Sequence, residues 1–419
     1  MTSNRRRRFG LGLNTYRVVG YEKHSYDIAR ASVPFSVPHP AGSPAPKGDT
    51  MIIDLDSHLR DHSVMDEVYQ LEAPYEDFNP VRKVGPDGKV HFETKFPHLQ
   101  SEGNMRAYDH SYMYDPKENW RGGELAKRQI VGTDMAKRVE LNAAEQLDKQ
   151  VIFPTGISLP AMTEGGLGAA LSRSYNNWVS NLVKGFENQL LPVAIMPAGD
   201  PESMPGELRR CVNELGLKCA HLVSYNGDRN LDNEAFFPFY EAAQELDVPL
   251  FCHPNGQFGF ITERFNNFLA MHTLGRPTNC TQALVGLVAG GIFEKFPDLK
   301  VCFFEVTAEW PLYWMHRMDD DFEWLRDDQD RHLPIHLNMT PSDYMRRNCY
   351  VTLEADENPA ALRQSLDEFG EDHILMATDY PHFDSEYPHT VSKLQANAVL
   401  SNTQKEKILG ENARKLLHV

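Results

Sequence analysis

Four stretches of this chain end in residues that a buried strand has no need of. They are Asp54-Leu55-Asp56-Ser57-His58, Phe251-Cys252-His253 before Pro254, Phe303-Phe304-Glu305, and Thr378-Asp379 before Tyr380-Pro381-His382. Imidazole and carboxylate together are the donor set for Zn²⁺, Mn²⁺ or Co²⁺. Residues two apart on a strand point to the same side, so Asp56 and His58 can converge on one point, with Asp54 on the same face below them. A divalent cation lowers the pKa of its bound water from about 15.7 to about 7. Asp379 would hold that water and take its proton as general base, with His382 or Glu305 helping to polarise a carbonyl or bind a carboxylate.

Each of these residues alone says little. A strand-end histidine is more often a hydrogen-bonded structural group, and a strand-end aspartate often caps the next helix. The joint occurrence of Asp-x-His, His and Asp on separate strand ends is what carries weight. His382 either orients a ligand or caps a turn. Glu305 has three readings, in order: a charge that orients His253, a further ligand, or a structural partner for an arginine. Cys252 alternates away from His253 and is set aside as a nucleophile.

The substrate side is read from the segment after His253. Phe258, Phe260, Phe265 and Phe268 suggest an apolar, aromatic envelope. Arg264, His272 and Arg276 lie in the same connection. Arg264 is the candidate for anchoring a carboxylate, whereas Arg276-Pro277 reads as the start of the following helix. His221, with Tyr225 and Asn226, stands at the tip of the fourth apolar run and is a further candidate for contacting substrate.

These residues need elements that bring them to one face. From Met51 onward, the apolar runs MIIDLD, QVIFPT, LPVAIMP, KCAHLVS, VPLFCH, LKVCFFE, CYVTLE and HILMATD alternate with helical patterns. Leu171, Tyr175, Val179 and Leu182 recur at helix spacing, as do Leu284, Leu287 and Val288. Such alternation implies βαβ units. Eight of them predict a closed (β/α)₈ TIM barrel spanning residues 49–419, whose strand ends gather on one face. About 70 residues separate the first strand from its helix, which the pattern starts near Lys127. This insertion, residues 60–126, carries Tyr108, Tyr112, Tyr114 and Trp120 and is read as a lid. Residues 1–48 form an irregular arm, whose prolines between 32 and 49 forbid regular structure. The arm either hangs loose or drapes over its own barrel or a neighbouring subunit.

The formal net charge of −17 argues against binding nucleic-acid phosphates. No apolar run approaches the ~20 residues needed to cross a bilayer. The Arg5–Arg8 cluster precedes no apolar segment, so no secretory signal is expected, while a processed targeting arm stays open. The six cysteines include no CxxC pair and read as core residues of a cytoplasmic protein.

The chain resembles the amidohydrolase superfamily, in the branch related to aminocarboxymuconate-semialdehyde decarboxylase, over residues 51 to 419. Besides the strand ends, the resemblance rests on SYNNWVSN (174–181), GGIFEKFPDLKV (290–301), EWPLYWMHRMD (309–319), RRNCYVTLE (346–354) and ILGENARKLL (408–417). It implies that Asp56, His58 and His253 are metal ligands and that Asp379 touches the metal and accepts a proton from its water. Two departures stand out. Asp56 replaces the first histidine of the usual His-x-His, and Glu305 replaces a histidine at the sixth tip. Zinc is expected first, but both swaps add negative charge and hard oxygen donors, which brings manganese or another hard divalent ion into the expectation, with cobalt a further alternative. No lysine stands at the fourth tip to bridge two metals, which favours one ion. The expectation is therefore a metal-dependent hydrolase of a small apolar or aromatic molecule, with water attacking a carbonyl-type carbon. The alternative is non-oxidative decarboxylation of an aromatic or unsaturated acid. A barrel that binds metal without turnover is the third reading. A homo-oligomer, dimer or tetramer, is expected from the arm and the apolar tail motif.

Overall fold

Parallel strands covered on both faces must be apolar throughout, and the buried cores of the eight runs meet that requirement. The computed structural model describes residues 50–86, 88, 90–96, 131–156, 158–227, 229–254, 265, 268–382 and 384–419. The arm (1–48), residues 97–126 of the insertion, Phe258 and Arg264 lie outside the described residues.

The first barrel strand is split into Ile53–Asp54 and His58–Leu59, and both halves pair in parallel with the second, Lys149–Pro154. The third, Leu190–Pro192, lies on the far side of the second. A second arc runs in order through Ala220–Leu222, Leu250–Cys252, Val301–Phe303, Cys349–Leu353 and Ile374–Met376, again all parallel. Bridges Ala194↔Ala220 and Ser57↔Tyr380 join the two arcs. The bonds Leu55 N–H to Met376 O (3.0 Å) and Asp379 N–H to Asp56 O (2.9 Å) return the last strand to the first. The result is the expected (β/α)₈ barrel.

Local chemistry sets the helices. Gly165–Leu182 buries Leu171, Tyr175 and Val179 at four-residue spacing, so one stripe faces the sheet. Asn358 and Thr340 cap the helices Pro359–Ser365 and Pro341–Asn348. The tail helix Asn402–Glu406 opens with a reciprocal Ser401–Gln404 capping box. At Gly410 that tail lies directly on the first strand, where any Cβ would overlap the Met51 carbonyl oxygen. Inside the barrel, the rings of Phe153, Phe251 and Phe304 contact one another, with centroids 5.0 to 6.1 Å apart, and form an apolar floor.

Two sequence expectations need correction. The helix after the insertion runs Met135–Ala144 rather than starting near Lys127. Its start is fixed by Asp134, whose side chain accepts from the Lys137 N–H at 2.9 Å. Arg276 does not open a helix, because Phe268–Ala289 carries it well inside. The described part of the insertion holds the helix Met65–Val68 and an exposed antiparallel hairpin, Val81–Val84 with Val90–Glu93. All six cysteines are buried and free. Among the described residues, no helix is long and apolar enough to cross a membrane.

Candidate metal centre

The strand ends place Asp56, His58, His253, Glu305, Asp379 and His382 together at the barrel mouth. Two sets, Asp56/His58/His253/Glu305 and His58/Glu305/Asp379/His382, each have one donor atom per residue within 4.8 Å of the others. His58 Nε2 lies 3.4 Å from Asp56 Oδ1 and 3.3 Å from Asp379 Oδ1. His253 Nε2 lies 3.7 Å from both Asp56 Oδ2 and Glu305 Oε1. His382 Nδ1 is 2.6 Å from Asp379 Oδ1, and its ring stacks on His58 at 4.1 Å.

The local backbone helps to aim these groups. Glu305 (φ 56°), Thr307 (φ 67°) and Asp379 (φ 52°) are all left-handed. This conformation costs a residue with a Cβ about 1–2 kcal/mol. Two of the three sit at candidate ligand positions, where strain of this kind concentrates.

The donors fit a divalent ion on geometric and electrostatic grounds. Ligand atoms about 2.1 Å from a common centre stand roughly 3.0 to 3.4 Å apart, close to the separations found here. Asp56 Oδ1, His253 Nε2 and Asp379 Oδ2 are buried without a hydrogen-bond partner, an arrangement that is costly unless something else satisfies them. Burial drives the Asp56 carboxyl well above its usual range. His253 opposes the rise, while the Asp379, Glu305 and Asp54 charges add to it. Burial lowers His58, helped by His382, and it lowers His253 against the pull of Glu305 and Asp56. Both imidazoles are therefore biased to the neutral form that binds metal.

Burial alone would raise Glu305 and Asp379, yet both end well below the carboxylate range. Arg276, His253 and His382 hold Glu305 down. For Asp379, His382 outweighs the opposing Glu305 charge, and a hydrogen bond from His58 assists. Glu305 faces two ways. Oε1 faces His253 and His382, each at 3.7 Å, while Oε2 is ion-paired with Arg276, whose Nε lies 2.8 Å away.

His221 is not part of this cluster. It is buried on the fourth strand with Nε2 3.4 Å from the His253 carbonyl oxygen. Burial, then the nearby His253, pushes it down to about 3, leaving a neutral ring against the backbone of a candidate ligand. Sequence reasoning missed the Arg276–Asp384 pair (3.2 Å) and the contact of His272 with Asp384 at 3.4 Å. The signal was available: His272, Arg276, Cys280 and Ala283 share one helix face, and an arginine on such a face needs a carboxylate. Beside the cluster lies a cavity of about 550 Å³, lined among others by Glu305, Arg276, His272, Trp310, Glu354 and Asp384.

Fold and side-chain set together define a barrel with a candidate metal centre at its mouth, the place where such barrels build active sites. A family model described as amidohydrolase, Amidohydro_2, matches residues 133–419. The chain belongs to that family and is an enzyme of the amidohydrolase superfamily. It is 27% identical over 280 residues to a 2-amino-3-carboxymuconate-6-semialdehyde decarboxylase of Dictyostelium discoideum, covering 66% of this chain and 74% of that one. It is 25% identical over 342 residues to a gamma-resorcylate decarboxylase of Polaromonas sp., covering 79% and 98%. Among solved structures, the manganese-bound dihydroxybenzoic acid decarboxylase of Polaromonas sp. superposes with a TM-score of 0.65 at 21% identity, covering 88% of this chain and 97% of that one.

Proposed function

We propose that this enzyme is a metal-dependent, non-oxidative decarboxylase of an aromatic or unsaturated carboxylic acid. The observation that carries the reading is the buried Asp379–His382 pair, 2.6 Å apart and beside His58, in a chain whose long alignments run to named decarboxylases. Those alignments overturn the expectation of hydrolysis. The same ligands and the same aspartate serve either reaction, so the strand ends could not separate them.

Asp56, His58, His253 and Asp379 would hold the ion, with Glu305 facing it. When bound, a divalent cation supplies positive charge that orients an anionic substrate and stabilises charge developing on its oxygens. Manganese is the preferred ion: the solved decarboxylase named above holds it, and the Asp56 and Glu305 carboxylates supply hard donors.

Decarboxylation breaks the bond between the substrate carbon and its carboxylate. The electron pair stays on that carbon, CO₂ departs, and a proton must replace it. A proton held between Asp379 Oδ1 and His382 Nδ1, 2.6 Å apart, would be the one delivered to the vacated carbon. Arg276 anchors Glu305 from behind. Phe153 and Phe304, with ring centroids 4.8 and 6.0 Å from His253, keep water from the inner side of the cluster.

The test uses protein stripped with a chelator and reloaded with Mn²⁺. Hydroxylated benzoic acids and unsaturated acids are offered beside their amides and esters, in D₂O. The expected result is metal-dependent CO₂ release with deuterium at the vacated carbon. Ammonia or alcohol release without CO₂ would overturn the reading.

A further inference from the structure

Asp54 lies at the inner end of the first strand, two residues before Asp56, and is fully buried. Its carboxylate accepts four hydrogen bonds. Oδ1 takes the backbone N–H of Asp56 (3.1 Å) and of Thr378 (2.9 Å). Oδ2 takes Gln150 Nε2 (2.8 Å) and Thr378 Oγ1 (2.7 Å). The far end of Gln150 is also fixed, since its Oε1 accepts from Arg138 Nε (2.7 Å) and Asn142 Nδ2 (3.1 Å). Arg138 is itself buried, and its Nη1 donates to the His58 carbonyl at 2.9 Å.

We infer that Asp54, Gln150 and Arg138 form a positioning clamp that sets the spacing of Asp56, His58 and Asp379. Asp54 grips the backbone of Asp56 and of the residue before Asp379, and Arg138 grips the backbone of His58. None of the three touches the cluster with its own donor atoms. They act by holding strand one, strand eight and the helix Met135–Ala144 in one register. His253 and Glu305 come from strands the clamp does not reach. The inference rests on the metal centre proposed above.

The direction of every bond is forced, which makes the clamp testable. An asparagine at 54 would keep one acceptor for the two backbone N–H groups and turn its amide NH₂ towards Gln150 Nε2, donor against donor. Rotating the Gln150 amide would only pass the conflict on to Arg138 and Asn142. Pairing Asp54→Asn with Gln150→Glu removes the conflict. The new glutamate accepts from the asparagine, from Arg138 and from Asn142. Thr378 Oγ1 then donates to the Asp56 carbonyl, already 3.2 Å away.

Mn²⁺ affinity of the metal-free proteins is measured by competition with a chelating dye, beside their thermal unfolding. Asp54→Asn is expected to weaken binding about 10- to 100-fold, the usual effect of losing a group that orients metal ligands. The double variant is expected to return to within about threefold of wild type. Should Asp54→Asn not fold, Thr378→Val, which deletes one donor to Asp54, carries the test with a smaller loss. A wild-type protein that binds no divalent ion refutes the metal centre. A wild-type that binds, with an unchanged affinity in Asp54→Asn or Thr378→Val, or a loss the double variant does not recover, refutes the clamp.

Discussion

Replacing Asp379 with asparagine keeps the side-chain volume and removes the carboxylate proposed to carry the proton. In the wild type its Oδ1 faces His382 Nδ1 at 2.6 Å and His58 Nε2 at 3.3 Å, with the residue only 1% exposed. The amide oxygen of Asp379→Asn can still accept from one imidazole, so the barrel and part of the metal affinity should survive. It cannot exchange a proton with the substrate carbon. Loss of a positioned acid–base group costs about 10²–10⁴ in rate, which is about 2.7–5.5 kcal/mol of barrier. The fall should appear in kcat, with KM changing far less, and the rate of deuterium incorporation from D₂O should drop in parallel. Because Asp379 is also a candidate ligand, metal content is measured in the same samples and rates are expressed per bound ion. A fully loaded variant turning over within about threefold of wild type, under 1 kcal/mol of barrier, would refute the proton-delivery role.

Three further outcomes are expected. His253→Ala should lose most of its bound ion in elemental analysis, and full occupancy would remove His253 from the ligand set. Arg276→Leu leaves the Glu305 carboxylate buried without its cation and should cost about 3–5 kcal/mol in urea unfolding, whereas a change below about 1 kcal/mol would show the pair to be dispensable. Burial pushes Glu357 up to about 8, against hydrogen bonds from the Ala308 and Glu354 N–H groups. The folded state therefore keeps a proton that the unfolded chain has released, and wild-type stability should fall as pH rises from about 4.5 to about 8. Glu357→Gln should flatten that slope in pH-dependent melting curves, and an unaltered slope would refute the assignment.

The barrel was legible because parallel strands bury both faces, so QVIFPT or VPLFCH reads as an unbroken apolar run whose polar end must be the mouth. The convergence of Asp56 and His58 followed from strand alternation alone. The start of the helix Met135–Ala144 was hidden because the insertion before it carries its own apolar residues, and the deciding cap, Asp134, is a single side chain. Arg276 was misread because Pro277 beside it looks like a helix start, yet the helix Phe268–Ala289 runs through both. The reaction type was not legible for a chemical reason. Metal, aspartate and imidazole suit an attacking water and a departing CO₂ alike, and the difference lies in what the pocket presents to the substrate.

The seam between the first and last strands has a consequence in time. The bond from the Thr378 N–H to Asp54 joins residues 324 positions apart, and two of the candidate ligands sit on opposite sides of that seam. At roughly 5–20 residues per second of synthesis, His58 waits roughly 16 to 65 s for Asp379 to be made. A nascent chain can present Asp56 and His58, but no complete cage, to whatever ions surround it. If these residues hold the ion, its choice is deferred to the finished protein. An ion held by both His58 and Asp379 would latch the two ends of the barrel together, and the ion-free enzyme is expected to come apart first along this seam.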